Sequence, residues 1–303
     1  MPALEFETDF TPHHGVAVDV GPNIQRITAP NQGPLTFHGT NSYIVGTDSV
    51  AVVDPGPMID SHQRALEQAL AGRELTHIFV SHTHRDHSPL AARLAADTGA
   101  TVVAEGPHRA ARDLYVGEVN PLAEASDMDF RPDIQAVDGD VIAGDGWSMR
   151  VVLTPGHTAN HACFALEQEA ILFSADHVMA WATSIIAPPD GAMSDYMASL
   201  DKLLQRDDRH YLPGHGGPVR QPPQFVRALK AHRRMREAAV LERLRKGDRH
   251  IADMVKVIYR DTDVRLHRAA ALSLLAHLED LAGRGVVEAD GAPSIDSAFR
   301  LKS

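Results

Sequence analysis

Cysteine is nearly missing from this chain, which carries only Cys163 in 303 residues. A lone thiol excludes an internal disulfide framework and a cysteine-based metal cluster. It makes a reducing compartment, the cytoplasm, the expectation. Long hydrophobic runs are missing too. No apolar stretch approaches the roughly 20 residues that a membrane span needs, so no membrane is expected among its partners. The opening segment MPALEFETDFTPHHG is acidic and lacks the basic-then-apolar order of a secretory signal. Internal repeats and low-complexity tracts are absent. What remains is an ordinary globular composition, 44% hydrophobic and 23% charged. Its length allows one large domain or two.

The formal net charge of −11 is unevenly spread. Residues 1–225 hold 13 Lys and Arg against 29 Asp and Glu, whereas residues 226–268 hold 13 against 6. The basic block reads either as a solvated helical face or as a contact for an anionic partner such as nucleic acid. The texture of the chain also changes near Pro222. Before it, short β runs such as NSYIV, THIFV, TVVAE, AILF and HYL alternate with polar turns and helical stretches. The helical stretches are Ser61–Gly72, a second capped by Ser88 with Pro89 at its first position, and a third capped by Ser194 or Asp195. After it, three helical patterns dominate, near 225–246, 250–262 and 265–285, followed by a β-prone end. The expected division is a catalytic domain over 1–222 and a winged-helix-like helical domain over 223–303, and the helical part makes a homodimer plausible.

The chemistry is concentrated in histidine. Directly after THIFV comes SHTHRDHS, with His82, His84, Asp86 and His87 inside six residues. Extended backbone places His82 and His84 on one side. Clustered imidazoles resist protonation and a clustered carboxylate resists desolvation. A divalent cation resolves both, because neutral histidine and ionised aspartate are zinc ligands at about 2.0–2.2 Å. Three further groups follow β runs: His157 in PGHTANH, Asp176 in SADH and His215 in PGHG. Each is weak alone, but strand-end placement gathers them at one edge of a sheet system. The seven partition as His82, His84 and His157 around one metal and Asp86, His87 and His215 around a second, with Asp176 bridging.

The order HTHRDH, PGHT, SADH, PGHG resembles the signature of the metallo-β-lactamase fold superfamily over most of residues 38–217. That resemblance implies an α/β fold, an αββα sandwich with a binuclear metal site at the edge of two sheets. It assigns the metals to the same seven residues, with two zinc ions per chain and iron or manganese as alternatives. In the class B1 lactamases a cysteine stands where this chain has Asp176, and Cys163 lies elsewhere. GTNSYIVG, APPDGAMSDYMASLDKLL and the helical tail are similar to the subgroup containing beta-lactamase-like protein 2, whose tail is a winged-helix domain. AVVDPG resembles the early Asp motif of the superfamily, so Asp54 is expected to orient a ligand histidine.

The implied activity is a binuclear zinc-dependent hydrolase in which a metal-bound hydroxide attacks an ester-like bond. Asp86 would orient or deprotonate that water. His161, four residues beyond His157, is the candidate for a hydrogen bonder behind the ligands, a substrate contact or the proton donor to the leaving group. Thr158 and His177 flank ligands and are candidates for supporting them, Tyr196 for reaching over the site from a helix start or packing that helix, and Asn41 and Ser42 for lining the pocket or closing a turn. The expected partner is a small ester or thioester. Single-stranded RNA in an endoribonuclease, a glyoxalase II-like thioester and a non-enzymatic winged-helix nucleic-acid binder are the alternatives. In the glyoxalase II pattern, however, glycine replaces Asn160. A flavin-linked diiron protein would carry a carboxylate at position 84, and no flavodoxin-like domain follows here.

Overall fold

The computed structural model describes residues 4–302. Two sheets stack face to face. The first has seven strands in sequential order: β1 (Val18–Gly21), β2 (Ile24–Thr28), β3 (Asn41–Gly46), β4 (Ser49–Val53), β5 (Glu74–Phe79), β6 (Thr101–Ala104) and β7 (Ile134–Gln135). The second runs β12-β11-β10-β9-β8, built from β8 (Val141–Gly144), β9 (Trp147–Leu153), β10 (Ala162–Leu166), β11 (Ile171–Ala175) and β12 (His210–Pro213). Alternating apolar side chains of both sheets fill the space between them, including Tyr43, Phe79, Trp147, Phe164 and Phe173. The rings of Phe79 and Phe164 meet at 5.0 Å between centroids, in the tilted arrangement aromatic pairs prefer.

Helices cover both outer faces. α1 (Asp60–Leu70) and α2 (Leu90–Thr98) seal the first sheet through Leu66, Leu70, Leu90 and Leu94. α3 (Met193–Leu203) seals the second through Tyr196, Leu200 and Leu203. The order of layers is therefore αββα. Three more helices, α4 (Pro222–Arg245), α5 (Ile251–Ile258) and α6 (His267–Gly283), join the hairpin β13 (Val287–Ala289) and β14 (Phe299–Leu301) in a winged-helix-like module. No helix among the described residues is long and apolar enough to cross a membrane.

α4 belongs to two cores. Its first half packs Val226 and Leu229 with α3, and its second half packs Val240 and Leu244 with α5, α6 and β14. Position 222 is thus the first residue of a helix shared by both parts. Several element starts differ from the sequence expectation by a few residues. α2 begins at Leu90 with Pro89 in the capping position. The Ser88 hydroxyl instead donates to Asp127 at 2.9 Å. α3 begins at Met193, so Ser194 and Asp195 lie inside its first turn.

The core between the sheets sets a stability expectation. Phe164→Ala removes a fully buried ring at its centre and should cost about 3–5 kcal/mol. A chemical-denaturation midpoint within error of the parent would show that the two sheets do not depend on this contact.

Candidate metal centre

The parallel pairs β4–β5 and β11–β12 direct four strand ends to one edge of the sandwich. β4 runs into Asp54, β5 into His82–His87, β11 into Asp176 and β12 into His215, while the turn between β9 and β10 supplies His157. Backbone hydrogen bonds stitch the two sheets together at this edge. Asn41 N donates to the Gly214 carbonyl at 2.7 Å, and Ala162 N donates to the Ser81 carbonyl at 2.8 Å. Gly214 must lack a side chain, because a Cβ there would stand 2.5 Å from Asp176 Oδ1 and 2.7 Å from His87 Cε1.

The seven residues converge as two neighbouring groups. One holds His82, His84, His157 and Asp176, and the other holds Asp86, His87 and His215. Asp176 faces both. Its Oδ2 lies 3.7 Å from His157 Nε2, and its Oδ1 lies 3.5 and 3.4 Å from Nε2 of His87 and His215.

Outward hydrogen bonds decide what the imidazoles present inward. His87 Nδ1 donates to Asp54 Oδ2 at 2.9 Å, His157 Nδ1 to the Ile185 carbonyl at 2.6 Å and His215 Nδ1 to the Gly39 carbonyl at 3.1 Å. The Ser81 hydroxyl donates to Asp54 at 2.7 Å, so its oxygen accepts from His82 Nδ1 at 2.9 Å. Each of these four rings therefore has its Nδ1 committed outward and aims Nε2 at the centre, where it can serve as a ligand once free of a proton. His82 Nε2 and His157 Nε2 lie 3.0 and 3.1 Å from His84 Nδ1. Nε2 of His87 and His215 lies 3.4 and 3.3 Å from Asp86 Oδ2. A proton on His84 Nδ1 can serve only one of the two nitrogens that face it, and the space between nitrogens and carboxylates calls for positive charge. His87 Nε2 and Asp176 Oδ1 have no hydrogen-bond partner although buried. This donor set fits divalent cations at both groups.

Electrostatics agree. Burial, then the neighbouring His87 and His84, hold His82 well below its ordinary value, and burial and His157 push His84 to about 3. Both are kept neutral, as ligands must be. In the second group burial alone would lower His215, but Asp176 and Asp86 outweigh it and drive it up to about 10. Protons thus stand where a cation would displace them.

The centre forms the floor of a pocket of about 800 Å³. Phe6, Leu35, Leu122, Met179, Trp181 and Ile185 give it apolar walls, and Arg233, Tyr259, Leu266 and Ala270 of the helical module close one side. Asp86 lines the floor, with its carboxylate accepting from Thr40 Oγ1 at 3.1 Å.

Other candidates from the sequence lie behind this floor. Asp54 takes three donors, Ser81 N, Ser81 Oγ and His87 Nδ1. It thereby aligns two ligand histidines, the expected role, from a left-handed backbone position with φ of 50°. His161 does not hold as a proton donor or substrate contact. It is fully buried, stacks on His82 at 5.1 Å between centroids and bonds Thr154 at 2.8 Å. Burial and the neighbouring His177 keep it well below its ordinary value. Tyr196 does not reach over the site, since its hydroxyl donates to the His177 carbonyl at 3.0 Å beneath it. Asn41 lines no pocket; its amide donates to the carbonyls of Pro213 and Gly216 and pins the His215 loop. Thr158 bonds Asn160 at 3.0 Å and Ser42 bonds His62 at 2.9 Å, both fully buried. His177 is packed between His161 and Tyr196 with no hydrogen-bond partner on its ring. Sequence reasoning missed Thr40, Ser81 and Ser184. The Ser184 hydroxyl donates to the backbone carbonyls of Asp176 and His177.

Comparison with known proteins agrees with this geometry. Residues 35–215 match the family model of the metallo-beta-lactamase superfamily, and residues 251–295 match the beta-lactamase associated winged helix domain. The chain belongs to the metallo-beta-lactamase superfamily. Among its relatives, a beta-lactamase-like protein 2 homolog of Caenorhabditis elegans is 27% identical over 88% of this chain and 86% of its own. An atrochrysone carboxyl ACP thioesterase of Claviceps purpurea (strain 20.1) is 27% identical over 89% of this chain and 83% of its own. A solved metallo-beta-lactamase family protein of Thermus thermophilus superposes with a TM-score of 0.75 at 26% identity, covering 93% of this chain and 99% of that one. As a member of this superfamily the chain is a metal-dependent hydrolase.

Two outcomes are expected at this superfamily centre. Asp54→Asn replaces an acceptor of three hydrogen bonds by one that cannot take them all, so metal affinity should fall about 10- to 100-fold. Metal titration against a competing chelator reads this, and an unchanged affinity would remove Asp54 from the ligand support. Metal uptake should also release protons. His215, raised to about 10, holds a proton at neutral pH that a cation must displace, so affinity should weaken as pH falls. Calorimetry in buffers of different ionisation enthalpy counts those protons, and zero release would contradict a protonated His215.

Proposed function

We propose that this chain is a binuclear zinc hydrolase of acyl thioesters. The observation that carries the reading is the position of the seven-residue centre at the floor of a largely apolar pocket of about 800 Å³, a volume suited to a small acyl group. The donor set of neutral histidines and carboxylates suits zinc, with iron or manganese the next candidates. When bound, such ions acidify a water and polarise the bond to be cleaved.

The residues of the chain define the remaining roles. Burial would raise Asp86, but His87 and His215 hold it well below the usual carboxylate range. It is therefore a poor base. Fixed by Thr40, it acts as an ionised acceptor that orients the attacking water. The leaving group decides between bond types. Burial, then Arg233 and Arg236, push His232 in the pocket wall down to about 4, and burial raises Tyr259. Neither is poised to donate a proton near neutrality, and His161 does not reach the pocket. A thiolate, whose conjugate acid has a pKa of about 8.5, departs without such help, whereas an alkoxide does not. The relative named as an ACP thioesterase supports the same reading.

Single-stranded RNA is the second reading, favoured by Arg85, Arg233 and Arg236 on the pocket wall. The apolar lining and the net charge of −11 weigh against a polyanion. A purely nucleic-acid-binding role suits α6 poorly, because Leu272, Leu274, Leu275, Leu278 and Leu281 are all buried in it.

The test compares kcat/KM for an acyl thioester, the matching alkyl ester and a short single-stranded RNA, before and after chelation and zinc return. Thioester cleavage at least about 100-fold faster than alkyl ester cleavage, lost with the metal and restored with zinc, is expected from the difference in leaving-group acidity. RNA cleavage without thioester cleavage would replace this reading with the second one.

A further inference from the structure

Among the described residues, six of the thirteen Lys and Arg in the basic block at 226–268 pair with a carboxylate. Lys230 pairs with Asp201, Arg243 with Asp248, Lys246 with Glu242, Lys256 with Asp253, Arg260 with Asp261 and Arg265 with Asp263. Two of the unpaired ones, Arg233 and Arg236, lie on the pocket face of α4. Among the described residues no carboxylate lies within ion-pair distance of Arg233 or Arg236. Arg233 is only 2% exposed. One terminal nitrogen donates to the Ser184 carbonyl, its Nε has no partner, and its guanidinium sits 5.1 Å from the Tyr196 ring centre. Arg236 donates Nε to His232 Nε2 at 3.1 Å and a terminal nitrogen to the Ile258 carbonyl at 3.0 Å. Because His232 Nε2 accepts, its proton is on Nδ1, which is buried and unpartnered. His232, Arg233 and Arg236 share one helix face by their spacing, and all three line the pocket.

A buried cation without an anion is costly, and it stays in place only where something offsets it. The acidic side chains lining this pocket are Asp86, Asp176 and Glu124. The first two belong to the metal centre. The missing anion is therefore one that arrives with the substrate. The site also lies close to the reaction floor. The Ser184 carbonyl takes Arg233, and the next carbonyl along the chain, Ile185, takes the ligand His157.

We propose that Arg233, Arg236 and His232 of the helical module form an oxyanion subsite, and that the substrate is an acyl thioester bearing a carboxylate or phosphate near the scissile carbonyl. This rests on the thioesterase reading given above. Planar guanidinium donors suit either oxyanion. A carboxylate would come from the acyl part, and a phosphate from the thiol carrier.

Three thioesters separate these sources: neutral butyryl-N-acetylcysteamine, glutaryl-N-acetylcysteamine and butyryl-4′-phosphopantetheine. The parent enzyme should favour one anionic thioester over the neutral one by about 10- to 100-fold in kcat/KM, the range of one charge-assisted hydrogen bond. The favoured compound identifies the source. Arg236→Gln and Arg233→Met should each bring that ratio close to one, and Arg234→Gln, exposed on the same helix, should keep it. No anionic preference in the parent, or an undiminished preference in Arg236→Gln, overturns the subsite. If the parent hydrolyses none of the three, the thioesterase reading fails instead. Calorimetry with glutarate and inorganic phosphate then decides the subsite on its own. Binding at least tenfold weaker in Arg236→Gln supports it, and equal or undetectable binding in the parent overturns it.

Discussion

Four imidazoles at this centre give their outer N–H to an acceptor that cannot move. Three acceptors are backbone carbonyls or the carboxylate of Asp54, and the fourth is a serine hydroxyl that Asp54 itself holds. That arrangement fixes the orientation of each ring and turns Nε2 inward. Two carboxylates face the same space, so the loops converge on a volume that only positive charge makes stable. The same loops carry the backbone hydrogen bonds that join the two sheets at this edge. Site geometry and sandwich closure are consequently one problem for the chain, solved by the same residues.

Much of this was legible in the sequence because it is local. HTHRDH follows an apolar run, and a β run delivers its next residues to a sheet edge whatever the rest of the fold does. The later ligands repeat that grammar behind AILF and HYL. What could not be read is the work of atoms with no residue identity. The carbonyls of Gly39 and Ile185 hold His215 and His157, and no side-chain pattern encodes them. His161 shows the opposite failure. Its spacing after His157 made it a candidate, but the chain reverses into β10 there, and the ring turns into the core against His82. Strands β1, β2, β7 and β8 also escaped the sequence reading. The terminal ones, β1, β7 and β8, are short and half-exposed, with little of the apolar run that marks a central strand.

Charge in the tail illustrates a third limit. A count of Lys and Arg over 226–268 cannot tell a neutralised surface from a buried cation. Pairing at short range accounts for six of those thirteen cations. Of the unpaired ones, Arg233 and Arg236 stand where the pocket is widest in chemical contrast, between apolar walls and a floor of metal ligands.

α4 packs with α3 through one half and with α5, α6 and β14 through the other, and its middle turn lines the pocket. There is no seam in the chain at which the sandwich could be released intact. A lineage that shed the module would have to rebuild a pocket wall and re-cover α3 in one step, while a lineage that kept it could alter substrate range by changing a few residues on a single helical turn.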